Sequence, residues 1–521
     1  MFDLLIRDAE ILDGTGAQAY LGNLAVKEGR IAAIGYIPPD ARSASTLNGQ
    51  HLTLSPGFID IHTHADIALL ARPQHLPKVM QGVTTEVFTN CGLGFAPCTR
   101  EGLAIQREYL GGIFGDDEGV DWGWRTVADF LSRYEKQGSG TNIAYLIPHG
   151  TVRVSVMGME ARPATAEERG RMEAMVREGM EQGAWGLSTG LWYAPMSHAD
   201  RAENVALCRA AGLFATHQRS YDSGIFAATE ETLAIAKEAG VPVQLSHLQL
   251  SGADIVGRAE EVLELLDRAR ARGVDVTWDS YPYAAGSTLV QALLPPWATD
   301  GGPESTLRRL HDEQTVARIE SELASSGRDW SRTVLAGARS TTNRPYESLA
   351  FTEIARRRGL SVTEFVVRLV VEDELQACFI GHTQDERDVR EVLRHPSQMV
   401  GSDGLHLPGK THPRLYGTFP RILGEYARER RDVSLAEAIR KMTSAPAARL
   451  GLKDRGTLEI GKAADLVLVD PKTVRDTATY EDPLRFPEGI VGVWVNGVAV
   501  KRDNEATGAL PGRVLRKPTA C

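Results

Sequence analysis

Two histidines one residue apart, His62 and His64, close an apolar run that reads as a β-strand, GFIDIHTH. In a strand, residues i and i+2 point to the same side, so both imidazoles can face one site. Alone, such a pair is better explained by half-buried histidines than by a metal. The pattern recurs at the ends of other apolar runs: Cys91 after GVTTEVFTN, His217 in GLFATHQ, His247 in PVQLSHL and Asp403 in QMVGSD. Four imidazoles, a thiolate and a carboxylate form the borderline donor set that suits Zn²⁺. They are enough for two ions if one donor bridges. Cys98 lies beyond its strand end at a spacing uncommon for zinc, and reads as a bystander. Cys208, Cys378 and Cys521 read as buried or tail cysteines.

Bringing these donors together requires strands whose C-terminal ends converge. Eight runs have the texture of buried strands, at 57–64, 82–90, 141–147, 184–189, 212–218, 242–248, 273–280 and 398–403. Helices separate several of them. Thr165-x-x-Glu168 is a capping box opening a helix whose Met172, Met175, Val176 and Met180 share a face. Helices at 227–239 and 257–272 end at Gly240 and Gly273, each leading into the next strand. Strands alternating with helices imply a parallel sheet, and eight of them imply closure into a TIM-like (β/α)8 barrel, whose active site lies at the C-terminal strand ends. A ninth run, 376–381, is taken as an extra element near strand eight.

The flanks differ. The first 55 residues and the stretch from about 455 to 502 are short strands punctuated by Asp-Gly, Glu-Gly and Asn-Gly pairs, the chemistry of tight hairpins. The expected architecture is therefore α/β, with a small β-sandwich domain built from both termini (1–55 and part of 415–521). The barrel then spans 56–414, with an inserted subdomain or lid at about 285–350 around Pro295-Pro296-Trp297. The last barrel helices and a tail complete 415–521. The tail after about 503 reads as loosely structured, with GRVLRKP as a candidate docking arm.

Composition narrows the function classes. Hydrophobic residues at 42% and charged residues at 24% are ordinary for a globular chain, which excludes a mostly disordered one. A net charge of -10 argues against binding along a nucleic-acid backbone. No run approaches the length of a membrane-spanning helix, no signal peptide is evident, and five cysteines are too few for a disulfide framework. A cytoplasmic location is expected, with no nucleic-acid or membrane partner. A homo-oligomer is compatible with this reading.

PGFIDIHTH, SDG at 402–404 and GKAADLVLVD resemble the amidohydrolase superfamily. More narrowly, TNCGLGFAP, GLSTGLWYAP, ATHQR, LSHLQLSG, DSYPYAAGST and HPRLYGTFPR resemble the N-acyl-D-amino-acid deacylases, or D-aminoacylases, over nearly the whole chain. The resemblance implies that Cys91, His217 and His247 hold a tightly bound Zn²⁺. It further implies that His62, His64 and Asp403, with Cys91 able to bridge, form a second, weaker site. It assigns zinc-dependent hydrolysis of a linear amide, an N-acyl-D-amino acid, to carboxylate and D-amino acid. Asp403 would act as general base and then as general acid on the leaving nitrogen. Arg414 would clamp the substrate carboxylate, helped by Tyr283 and Ser287, with Tyr193 lining the pocket.

One position departs from the pattern: Gln249 stands where family members commonly carry Lys, which removes a charge from the expected carboxylate site. Two rivals follow from the same residues. One is a cyclic-amide hydrolase of the hydantoinase or dihydroorotase type, although those usually bridge their metals with a carboxylated lysine. The other is a non-catalytic scaffold, against which the full donor set argues. His406 and His412 are the remaining histidines close enough to Asp403 and Arg414 to watch.

Overall fold

The structure is a computed structural model that describes residues 1–115, 119–407 and 409–518. Eight parallel strands form its centre: β1 (Phe58–Asp60), β2 (Val83–Phe88), β3 (Asn142–Pro148), β4 (Gly186–Gly190), β5 (Phe214–His217), β6 (Val243–Leu245), β7 (Val276–Ser280) and β8 (Gln398–Val400). They are neighbours in sequence order, β8 lying beside β7 across an excursion of more than a hundred residues. Apart from Thr277 every residue in them is buried, as expected of a parallel sheet covered on both faces.

The circle closes at its C-terminal edge. Beyond β8 and β1, Gly404–Leu405 pairs in parallel with Thr63–His64, and the Asp403 amide donates to the His62 carbonyl at 2.8 Å. Gly401 allows this approach, because a Cβ there would lie 2.6 Å from Cβ of His62. Lys78, fully buried, bridges the same seam by donating to Asp60 Oδ2 at 2.6 Å and to the Ser402 hydroxyl. The seam therefore carries His62, His64 and Asp403 on adjoining chain segments.

The expected helices are present. Ala166–Glu181 has the Thr165/Glu168 capping box, with Met172 and Val176 buried. Ile225–Ala239 and Ala259–Ala271 join β5 to β6 and β6 to β7, the former capped by Gly240 at φ 71, where a side chain would be strained. The ninth apolar run does not join the barrel. Cys378–Gly381 is the middle strand of a separate antiparallel sheet, between Gly286–Leu289 and Thr333–Gly337, with its own apolar core.

Both chain ends build one nine-stranded sheet. Thr53–Pro56 pairs antiparallel with Leu466–Val469, joining the N-terminal strands to the C-terminal ones. Only two of the anticipated tight turns form. Glu28-Gly29 and Asn496-Gly497 each place two successive residues at positive φ, as the favoured two-residue hairpin requires. Asn48-Gly49 instead links two strands that both lie parallel to Phe2–Ile11, so no hairpin closes there. The described part of the tail is ordered rather than loose. Leu515 donates its amide to the Ile143 carbonyl, Trp185 Nε1 donates to the Leu515 carbonyl, and Lys517 donates to Gly183, laying the arm along β3 and β4. Among the described residues no helix is long and apolar enough to cross a membrane.

Candidate metal centre

The residues singled out at the strand ends converge. His217 is the last residue of β5, His62 and His64 follow β1, Cys91 follows β2, His247 follows β6 and Asp403 follows β8. Three of them, Cys91 (φ 57), His247 (φ 34) and Asp403 (φ 48), adopt left-handed backbone, as does Thr89 (φ 61). Such conformations cost a non-glycine residue about 1–3 kcal/mol each and gather where function demands them. Here each turns a donor sharply off its strand toward the barrel axis.

Two trios of donor atoms form, each within 4.8 Å of one another: His62, Cys91 and His247, and His62, His64 and Asp403. Cys91 Sγ lies 3.4 Å from Nε2 of both His62 and His247. Asp403 Oδ1 lies 3.4 Å from His62 Nε2 and 3.1 Å from His64 Nε2. His62, common to both trios, is the hinge between them. His217 belongs to neither. Its ring packs 4.5 Å from that of His247 and stacks on Trp192, and neither of its ring nitrogens has a partner.

Burial sets the electrostatics. It pushes the Cys91 thiol up to about 11 despite the neighbouring His62, so without a cation the sulfur keeps its proton. Burial takes the His247 imidazole down to about 4 and lowers His217 well below its ordinary value, leaving both neutral and able to ligate. Burial would raise Asp403, but Arg414, His62 and His64 together hold it well below the usual carboxylate range. Burial would lower His62, but Asp279 and Asp403 raise it well above its ordinary value, so the metal-free centre holds one imidazolium among neutral imidazoles, a carboxylate and a protonated thiol. Both nitrogens of His217 and Nδ1 of His64 and His247 are buried and unpartnered. Leaving one such group unmet costs about 1–3 kcal/mol. A divalent cation held by one nitrogen of His217 would meet part of this demand, and the donor types fit one.

Sequence reasoning missed the residue that orients this centre. Asp279, on β7 and 1% exposed, contacts His62 Nδ1 at 3.0 Å and accepts from the His247 backbone amide at 2.8 Å through the same oxygen. Its other oxygen accepts from Gln244 at 3.1 Å. A carboxylate on the far nitrogen of a ligating histidine fixes tautomer and ring angle and is worth about 10–100-fold in metal affinity. Asp279→Asn should therefore weaken zinc binding by about that factor in competition with a chelator. Unchanged affinity would remove Asp279 from this role. Its place near the end of a barrel strand was the signal available in sequence.

Beside the metal donors, Arg414 is completely buried. Its Nη2 lies 3.0 Å from Asp403 Oδ2 and donates to the Ser287 carbonyl at 3.2 Å, while Nε and Nη1 have no partner. The guanidinium sits 4.6 Å over the ring of Tyr281. Tyr281 donates to Gln249 Oε1 at 2.6 Å, and Gln384 donates to the same oxygen at 2.6 Å. Gln249 is thus a neutral bracket for the tyrosine beneath Arg414. Tyr281, passed over in the sequence, stands where Tyr283 was expected. The Tyr283 hydroxyl is directed to Asp476 at 3.4 Å and its ring lies under Arg421.

Ser287 has a buried hydroxyl without a partner, and Tyr193 packs 4.8 Å from the His217 ring with its hydroxyl 3.0 Å from Thr288. His412 braces Arg414: its Nδ1 accepts from the Arg414 amide and its Nε2 donates to the Ala285 carbonyl. His406 pairs with His75 instead. Cys98, Cys208 and Cys378 are buried away from the donors, and Cys521 lies outside the described residues.

The chain is similar to known proteins over nearly its whole length. The pattern of the Amidohydrolase family matches residues 47–501. A D-aminoacylase of Alcaligenes xylosoxydans xylosoxydans is 38% identical over 100% of this chain and 98% of its own. A solved D-aminoacylase structure, described by its binuclear metal centre, superposes with a TM-score of 0.85 at 35% identity, covering 99% of this chain and 100% of that one. N-acyl-D-glutamate deacylase from Bordetella bronchiseptica, solved with zinc and a phosphonate inhibitor, gives 0.84 at 34% identity with the same coverage. The chain belongs to the amidohydrolase family, on the branch that contains the D-aminoacylases.

Proposed function

We propose that the protein is a zinc-dependent deacylase that hydrolyses N-acyl-D-amino acids to a carboxylate and a D-amino acid. The observation that carries the proposal is Asp403, whose one oxygen meets the histidine pair of the centre while the other meets a buried arginine with spare donors. Cys91, His247 and His217 would hold the tighter zinc. His62, His64 and Asp403 would hold a second, weaker one, with Cys91 placed to bridge. A zinc ion bound there supplies Lewis-acid polarisation of the amide carbonyl and acidifies water.

The remaining work belongs to the chain. Asp403, ionised at neutral pH, accepts the proton of the attacking water and returns it to the leaving nitrogen, without which an amine departs poorly. Asp279 keeps His62 and His247 aimed while this happens. The unused Nε and Nη1 of Arg414 offer a fork for the substrate's carboxylate, with Tyr281 beneath and Gln249 behind it. Because Gln249 carries no charge, that carboxylate rests on Arg414 as its cationic partner. Ser287 adds a free hydroxyl, Tyr193 forms part of the wall, and Tyr283 packs on His412, which braces Arg414. Arg414→Lys loses the planar fork and should raise KM by about 10–100-fold with zinc content unchanged, since losing one hydrogen bond to a charged group costs about 1.5–3 kcal/mol. An unaltered KM would place the carboxylate elsewhere.

The test is a library of N-acyl-D- and N-acyl-L-amino acids assayed alongside hydantoins, with zinc measured on the same sample. The proposal expects turnover confined to the linear D-compounds. Cleavage of hydantoins alone would favour the cyclic-amide reading, and protein unable to bind zinc would favour a scaffold.

A further inference from the structure

A cavity of about 990 Å³ adjoins the His64 side of the centre, and none of the metal donors lines it. Its apolar walls are Phe114, Leu407, Leu415, Tyr416, Leu484 and Phe486. Three of these connect it to the centre. The Phe114 ring packs edge-on against His64 at 5.7 Å, Leu407 follows the short strand paired with Thr63–His64, and Leu415 follows Arg414. The inner residues are nearly inaccessible (Phe114 2% exposed, Leu415 3%), whereas Leu484 (56%) and Phe486 (41%) stand at the mouth.

The polar lining makes little demand on the interior. Arg72, Arg339 and Arg344 are exposed at the rim, with Arg339 paired to Glu374 at 2.7 Å. On one wall, His75 and His406 meet at 3.0 Å between their Nε2 atoms, with Glu86 behind His75 at 2.6 Å. Those nitrogens serve one another and leave the remaining surface free for an apolar ligand.

This volume lies at the upper end of the range for sites that enclose ligands of drug size, about 300–1,000 Å³, and far exceeds the space an acetyl group fills. We infer that the cavity is an acyl-chain subsite, and that the protein takes N-acyl amino acids with medium or long aliphatic acyl groups. The inference rests on the deacylase reading for which end of the ligand faces the centre. The proposed pose sets the amino-acid carboxylate at Arg414 and sends the acyl group past His64 toward Phe114, whose ring joins the centre to the cavity. Each methylene buried there strengthens binding about fourfold.

Gly337 offers a clean perturbation. A Cβ added to it meets only Leu407, at 3.5 Å, within the cavity and without backbone strain. The experiment compares N-acetyl and N-octanoyl derivatives of one D-amino acid on the zinc-loaded enzyme, with octanoate binding measured by calorimetry. The wild type should show kcat/KM about 100-fold or more higher for octanoyl. Gly337→Phe should erase that advantage and leave acetyl turnover within about twofold, since it narrows the cavity alone. Phe486→Ser, at the mouth, should reduce the octanoyl rate only.

Acetyl cleavage with no octanoyl advantage, or an advantage that survives Gly337→Phe, overturns the subsite and leaves the deacylase reading in place. Octanoate binding that Gly337→Phe abolishes, with no amide cleaved, supports the apolar subsite and overturns the deacylase reading. Neither cleavage nor binding overturns both.

Discussion

Asp403→Asn is expected to lower kcat by about 10³-fold or more at neutral pH, because general acid–base groups contribute about 10²–10⁴-fold and this one serves twice in a turnover. Asparagine keeps the size of the side chain and can still accept from Arg414, but it cannot take a proton from water and give it back. The geometry also predicts what should survive. Cys91 and His247 meet His62 without any contribution from Asp403, so one equivalent of zinc should remain. The variant should show wild-type circular dichroism and a melting temperature lowered modestly, by the loss of the charge pair at 3.0 Å to Arg414. Turnover preserved within tenfold, by about the 1.4 kcal/mol such a factor represents, would remove Asp403 from proton transfer.

Cys91→Ala should cost more, because it removes a ligand rather than a proton carrier. Stoichiometric zinc should be lost on purification, and activity with it. The pH dependence of metal uptake gives a second readout. Burial holds the Cys91 thiol at about 11 in the metal-free protein, whereas zinc binds the thiolate. Uptake must therefore expel the thiol proton at every pH below about 11, and apparent affinity rises with pH. Acidification reverses this and releases the metal. Each such proton contributes about one logarithmic unit of affinity per pH unit. Chelator competition between pH 6 and 8 should thus give a steeper slope for the wild type than for Cys91→Ala, by about one. Equal slopes, or one equivalent of zinc retained by the variant, would mean the sulfur is not a ligand.

The barrel was legible because its strands are short and almost wholly buried, and five of the eight end at a chemically distinctive residue. Runs such as GLFATHQ and PVQLSHL state both where a strand lies and where it ends. Pairing direction is not written locally. QACFIG has the same texture, yet Cys378–Gly381 pairs antiparallel with two strands of the insert, because its neighbours are brought there by chain segments far away. The same limit explains the turns. Asn48-Gly49 has hairpin chemistry, but the strands on either side both run parallel to Phe2–Ile11, and that partner overrides the dipeptide. For the tail, residues 512–517 have little periodicity of their own, and the edges of β3 and β4 supply the order.

The site divides in the same way. The donors named from their strand ends lie at one end of the barrel, five of them in the two trios and His217 beside His247, because that rule depends on topology alone. Which donors share an atom's reach depends on side-chain angles, and so Cys91 and His247 group with His62, while His217 packs beside His247. Asp279 and Tyr281 escaped notice because each acts through a partner distant in sequence. Asp279 reaches back 217 positions to His62, and Tyr281 acquires its meaning only beneath Arg414. Lys78 is the extreme case, since nothing in HLPKVM suggests a cation that seals a barrel by way of Ser402.

The central claim is that Cys91 and the surrounding imidazoles grip one divalent cation, and X-ray absorption at the zinc edge addresses it most directly. On protein loaded with one equivalent, the account predicts a sulfur scatterer at about 2.3 Å together with nitrogen and oxygen at about 2.0–2.1 Å, and loss of the sulfur shell in Cys91→Ala. A first shell of nitrogen and oxygen alone in the wild-type protein would contradict it.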